Sequence, residues 1–135
     1  CLTGLRVVGA FAGASFDRSK LHPTYFFGTD LRCTRFVYTD HSDAYVDGVD
    51  LTRANLFNAI APATTFTGDN MQGVILDHAH LSKADFAGAN LSEAHLEGTI
   101  LTGARFRGGP TPGGHDFADA KLTEISYSDG TQWPA

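Results

Sequence analysis

Hydrophobic residues recur along this chain at every fifth position. Counted from residue 11, the frame reads Phe11, Phe16, Leu21, Phe26, Leu31, Phe36, His41, Val46, Leu51, Leu56, Ala61, Phe66, Met71, Leu76, Leu81, Phe86, Leu91, Leu96, Leu101 and Phe106. Eighteen of these twenty are large and apolar. The frame then slips by six residues across 108–114 and resumes at Phe117, Leu122 and Tyr127. The residue two places before most rungs is small, as at Ala54, Ala84, Ala89, Thr34 and Thr99, and polar or flexible residues fill the other places.

A period of five excludes both regular elements as continuous structures. On an α-helix five residues turn through about 500°, so the rungs would spiral over every face. On a flat strand an odd step sends successive rungs to opposite sides. Only a chain that bends once per pentad keeps every rung inside. Such a chain is a solenoid with one pentad per side, whose narrow shaft is filled by one large and one small residue per pentad. Gly, Asn and Asp at the remaining places suit the bends.

Composition refines this picture. The chain has 135 residues, enough for a single domain, and a globular balance of 42% hydrophobic and 19% charged residues. The excess of Phe has its cause in the ladder, because eight of the ten Phe are rungs, seven before the slip and Phe117 after it. The net charge of −5 argues against a partner bound through nucleic-acid phosphates. Two cysteines cannot build a disulfide framework or a four-ligand zinc site of the usual kind.

The copies Ala54-Asn55-Leu56-Phe57-Asn58, Ala84-Asp85-Phe86-Ala87-Gly88 and Ala89-Asn90-Leu91-Ser92-Glu93 resemble the A-(D/N)-(L/F)-x-x motif of the pentapeptide repeat proteins. The resemblance covers residues 9–129. It implies an all-β fold, a right-handed quadrilateral β-helix of about six coils with four pentads each, so that residues 20 apart stack. It also implies a non-enzymatic protein without cofactor. The domain expected over 1–135 comprises a slipped N-terminal coil (1–8, with Leu2 and Val7 inward), regular repeats (9–108), a Gly/Pro loop (108–114), resumed repeats (115–129) and a C-terminal cap (130–135) in which Trp133 closes the shaft.

Several residues depart from the pattern. His41 takes an inward rung next to Ala61 in its column, and a satisfied interior histidine is expected there. Asp69 takes an inward small-residue place above Val49 and below Ala89. A carboxylate there must be hydrogen-bonded or turned outward, and a local distortion at Asp69-Asn70-Met71 is expected. His78 and His80 flank one corner, where a polar surface is a better reading than a two-ligand metal platform, and no metal site is assigned.

Outward apolar residues mark the candidate interaction surface: Val37, Tyr38, Phe57, Ile60, Pro62 and Ile75 form a strip around one edge of the middle coils. Its expected partner is another protein or a second copy of the chain, with no direct nucleic-acid binding. A membrane enters only if Cys1 is lipidated. The leading function is thus a non-catalytic structural or adaptor rod, a module or subunit of a larger assembly. The alternative that the resemblance implies is a DNA-mimicking, gyrase-protecting rod, which needs a dense acidic face. Here the side with Asp30, Asp50 and Glu93 also carries Arg32 and Arg53, and the side with Asp47 and Asp85 carries Arg105 and Arg107.

Overall fold

The computed structural model describes residues 4–106 and 123–133. Leu2, Cys1, the 108–114 loop and the rungs Phe117 and Leu122 lie outside the described residues. What is described is an all-β quadrilateral β-helix. Parallel bridges join residues 20 apart, as in Asn55↔Ile75, Ile60↔His80, Thr65↔Asp85 and Asn70↔Asn90, and these four columns define the four sides. We call the sides first (15, 35, 55, 75, 95), second (20, 40, 60, 80, 100), third (25, 45, 65, 85, 105) and fourth (10, 30, 50, 70, 90).

One pentad shows how the bend is made. The Leu56 amide donates to the Ile75 carbonyl of the next coil (2.7 Å), and the Ile75 amide returns a bond to the Ala54 carbonyl (3.0 Å). The Ala59 amide then donates back to the Leu56 carbonyl (3.0 Å), closing a four-residue turn whose third residue, Asn58, has φ 54°. A positive φ at that place alone is the signature of a type II turn. Glycine suits it best, yet Arg18, Cys33, Tyr38, Arg53, Ala63, His78, Lys83 and Glu93 occupy the same corner place with φ between 55° and 61°. Each such residue costs on the order of 1 kcal/mol. Turn hydrogen bonds and rung packing hold them there.

Three short parallel strands interrupt this regularity on the third side: β1 (Leu5–Val7), β2 (Thr24–Phe27) and β3 (Tyr45–Asp47), in the order β1-β2-β3. Val7 pairs with Phe26, 19 residues away rather than 20, and is half-buried beneath the core. At the other end Ser126 pairs with Ile100 and Gln132 with Arg105. The offset thus grows from 26 to 27 residues across Ser128-Asp129-Gly130.

The shaft holds stacked ladders. Phe66, Phe86, Phe106 and Trp133 lie nearly parallel with centroids 5.1, 5.0 and 5.2 Å apart, so the indole covers the last Phe ring. Tyr127, read as an inward rung, is instead 63% exposed and meets the Trp133 ring edge-on at 5.7 Å. No described coil lies over it to bury it. The small column is satisfied internally: Thr34 Oγ1 donates to the Leu31 carbonyl (2.6 Å) and Thr64 Oγ1 to the His41 carbonyl (2.7 Å). Among the described residues no helix is long and apolar enough to cross a membrane.

Candidate interaction surface

The second and third residues of each turn stand at a corner of the square, where the turn holds their backbone in one fixed conformation. The corner between the first and second sides collects aromatic side chains in this way. Tyr38, 55% exposed, meets the half-buried Phe57 edge-on at 6.2 Å, and Phe57 meets His78 edge-on at 5.6 Å. Below them the Arg18 guanidinium lies 6.0 Å from the Tyr38 ring centroid. The result is a ridge of Arg18, Tyr38, Phe57 and His78 climbing four coils. His78 packs over Gly98, where an added β-carbon would overlap the imidazole. Gly98 thus makes room for the ring.

Five of the six residues of the predicted strip fall on this corner and its two flanking sides, and Pro62 lies at the next corner. Val37 sits beneath Phe57, and its amide is held by Asp17 Oδ1 (2.9 Å). Burial pushes Asp17 up, but hydrogen bonds from the Arg35 guanidinium and the Val37 amide outweigh it and leave the carboxyl below its ordinary value. Ile75 pairs above Asn55 on the first side. Ile60, 48% exposed, pairs between Asp40 and His80 on the second side, and Pro62 follows it into the next corner. Tyr38 and Phe57 are the pair in direct ring contact; Ile60, Pro62 and Ile75 flank them.

His78 and His80 do not converge. The first ring packs on Phe57 and Gly98, while His80 Nε2 is 3.0 Å from Ser82 Oγ on the second side. No group of three or more His, Cys, Asp or Glu able to hold a metal occurs among the described residues.

Two buried polar groups sit inside the shaft, away from this surface. His41 is 4% exposed and its Nε2 has no hydrogen-bond partner, contrary to the expected satisfied histidine. It lies edge-on to Phe36 at 4.9 Å beside a cavity of about 10 Å³, opened where Val46 interrupts the Phe26–Phe66 ladder. Burial holds the imidazole down at about 4, against a weaker upward pull from Asp40. Asp69 is 1% exposed and points inward, with the coil regular around it rather than distorted. The irregularity is one coil lower. Extended β3 leaves the Val49 amide without a turn partner, and Asp69 Oδ1 accepts from it at 2.8 Å, while Oδ2 is unpaired. Burial pushes this carboxyl up to about 7 despite the Val49 and Gly48 amides.

Sequence reading missed an aromatic group on the third side. Tyr25 and Tyr45 stack at 5.5 Å, Phe27 lies parallel to Tyr25 at 6.4 Å, and Arg6 lies 5.4 Å from the Phe27 centroid. The signal was present, since Tyr25 and Tyr45 are 20 apart in an outward column, the rule that placed Val37 under Phe57.

Comparisons with known proteins agree with this geometry. The family model described as pentapeptide repeats matches residues 70–108 in eight copies. The matched stretch lies above the three strands and His41, where the pentads are most regular. A search of curated proteins found no match. Among solved structures, the pentapeptide repeat protein Rfr23 from the cyanobacterium Cyanothece 51142 aligns over 92% of this chain and 90% of its own, with 20% identity and a TM-score of 0.68. HetL from Nostoc sp. strain PCC 7120, a protein involved in heterocyst differentiation regulation, aligns over 92% of this chain and 71% of its own, with 21% identity and a TM-score of 0.63. A protein from the Arabidopsis thaliana thylakoid lumen aligns over 90% of this chain and 66% of its own, with 21% identity and a TM-score of 0.56. At these identities the likeness is one of fold.

Proposed function

We propose that this chain, whose residues 70–108 match the pentapeptide repeat model and whose fold is that of solved pentapeptide repeat proteins, works as a non-catalytic structural or adaptor rod. It binds protein through the corner formed by Val37, Tyr38 and Phe57 with Ile60, Pro62 and Ile75 beside it, as a module or subunit of a larger assembly. The observation that carries this reading is the ridge itself. Arg, Tyr and Phe are the residue types that anchor protein interfaces, and here they stand preorganised on a rigid corner with little conformational entropy left to lose. The shaft is packed with side chains, so chemistry would have to occur on an open surface.

The DNA-mimic reading draws no support from the charges. Arg32 pairs with Asp30 at 2.7 Å, Arg35 with Asp17 at 2.8 Å and Arg105 with Asp85 at 3.4 Å, so acids on three sides are locally neutralised.

Phe57→Asp tests the surface. Phe57 is only half-buried and belongs to no rung, so the variant should keep its circular dichroism spectrum and lose less than about 1.5 kcal/mol of stability. Association with its partner, read as co-purification from source cells, should fall at least tenfold. A folded variant that still associates like the parent would count against the corner.

A further inference from the structure

On the second side, charges are arranged about an apolar centre. Ile60, 48% exposed, and Pro62 occupy the middle row. The row below carries Asp40 and Asp43; the row above carries His80 and Lys83 in the same two columns. Rows are ~4.8 Å apart, so the acidic and basic rows lie equally far from the centre. The outermost rows carry Lys20 below and Ile100, 38% exposed, above. Lys83 has no ion-pair partner among the described residues, and its stem lies along Gly103. Asp43 has a side chain 64% exposed and only His22 nearby, at 3.8 Å.

A two-fold axis lying across this side, through the Ile60 row, reverses the order of the rows and leaves each column in place. Asp43 then faces Lys83 of the second copy, and Lys83 faces its Asp43. Asp40 faces His80, Ile60 faces Ile60, and Lys20 faces Ile100 with no like charge opposed. This self-complementarity is what an isologous contact requires. A parallel arrangement would keep the rows in register, setting the row of Asp40 and Asp43 against the same acidic row and the row of His80 and Lys83 against the same basic row.

We propose that the second side is the contact face of an antiparallel homodimer, with a second copy of this chain as the partner of the adjoining ridge. This inference rests on the interaction reading above and names its partner. The face is small. A strip about five rows long and one side wide buries on the order of 1,000 Å² in the pair, at the low end for specific contacts. The dimer is therefore expected to be weak and to loosen as salt screens its charge pairs.

Sedimentation velocity on the purified full chain, from about 1 μM to several hundred μM at low salt, should show a monomer–dimer equilibrium. Asp43→Lys and Lys83→Asp should each weaken it at least about tenfold, because each turns two attractions into two repulsions. The double exchange should restore it. Both positions already hold side chains at positive φ (53° and 61°), so the exchange suits the backbone. If a charge reversal misfolds, the neutral pair Asp43→Asn and Lys83→Gln should each weaken the dimer more mildly. A monomer at every concentration, or a dimer indifferent to these substitutions, would overturn the proposal. A monomer whose association with another protein still depends on Phe57 would remove the second copy as partner and leave the interaction reading in place.

Discussion

Asp69→Asn should melt higher than the parent at pH 8, and the advantage should vanish as the pH falls towards 4. The parent carboxyl titrates near 7 in the fold, against 3.8 for an ordinary aspartate. Between those values the folded chain holds a proton that the unfolded chain has lost, so stability falls as pH rises through the interval. About three units correspond to roughly 4 kcal/mol at most. Asparagine keeps an acceptor for the Val49 amide and removes the ionisation, but buries an extra amide donor. The net gain at pH 8 should be about 2 kcal/mol, a shift on the order of 10 °C or less. Asp69→Ala should gain less, because it leaves the Val49 amide unpaired. Thermal melts across pH 4–8 check this, and an advantage independent of pH would contradict the assignment.

His41→Leu should carry the opposite signature. The buried imidazole titrates near 4 against 6.5 for an ordinary histidine. The unfolded chain therefore binds the extra proton first, and the parent loses stability as pH falls from 6.5 to 4. Leucine matches the Leu21 and Leu81 rungs of that column and removes the unpaired Nε2. A gain of about 1–3 kcal/mol is expected at pH 7, growing by about 3 kcal/mol at pH 4. The two titrations oppose each other between pH 4 and 6.5, so the parent profile should be nearly flat there. Each substitution should unmask the slope of the other group. Profiles for both variants that run parallel to the parent would show that neither group titrates as its burial requires.

These two residues also show how much of the fold could be read directly. The five-residue period carries the interior, because a rung is large and apolar wherever the shaft must be filled. It therefore also exposes the places where the shaft is filled wrongly, and both His41 and Asp69 stand out as inward polar residues. Their partners were not legible. Asp69 is held by an amide freed when the third side extends into a strand at Tyr45–Asp47, one coil below. That extension follows from a β-rich stretch, Tyr45-Val46, whose ladder place reads like any other rung. Nothing local to His41 indicated that Val46 would leave space beside it.

The surface was legible to the extent that columns are. Residues 20 apart stack, so Val37 and Phe57 could be placed together. The corner conformation was not legible for the residues that matter most. Tyr38 and His78 hold positive φ angles that glycine would be expected to hold, and that geometry brings their rings against Phe57. The palindrome of charges about Ile60 is likewise invisible along the chain, because its members are 40 residues apart. It emerges only when the rows are laid side by side.

The proposed protein-binding surface is the corner at Tyr38 and Phe57. Photo-crosslinking from position 57 in source cells tests this, with p-benzoylphenylalanine in place of Phe57 and, as control, at Glu93, at the corner between the fourth and first sides. Discrete protein adducts from position 57 and none from position 93 are the expected result; an adduct of twice the chain's mass identifies a second copy, and any other mass a different partner. No adduct from position 57, or the same adducts from both positions, would contradict the claim.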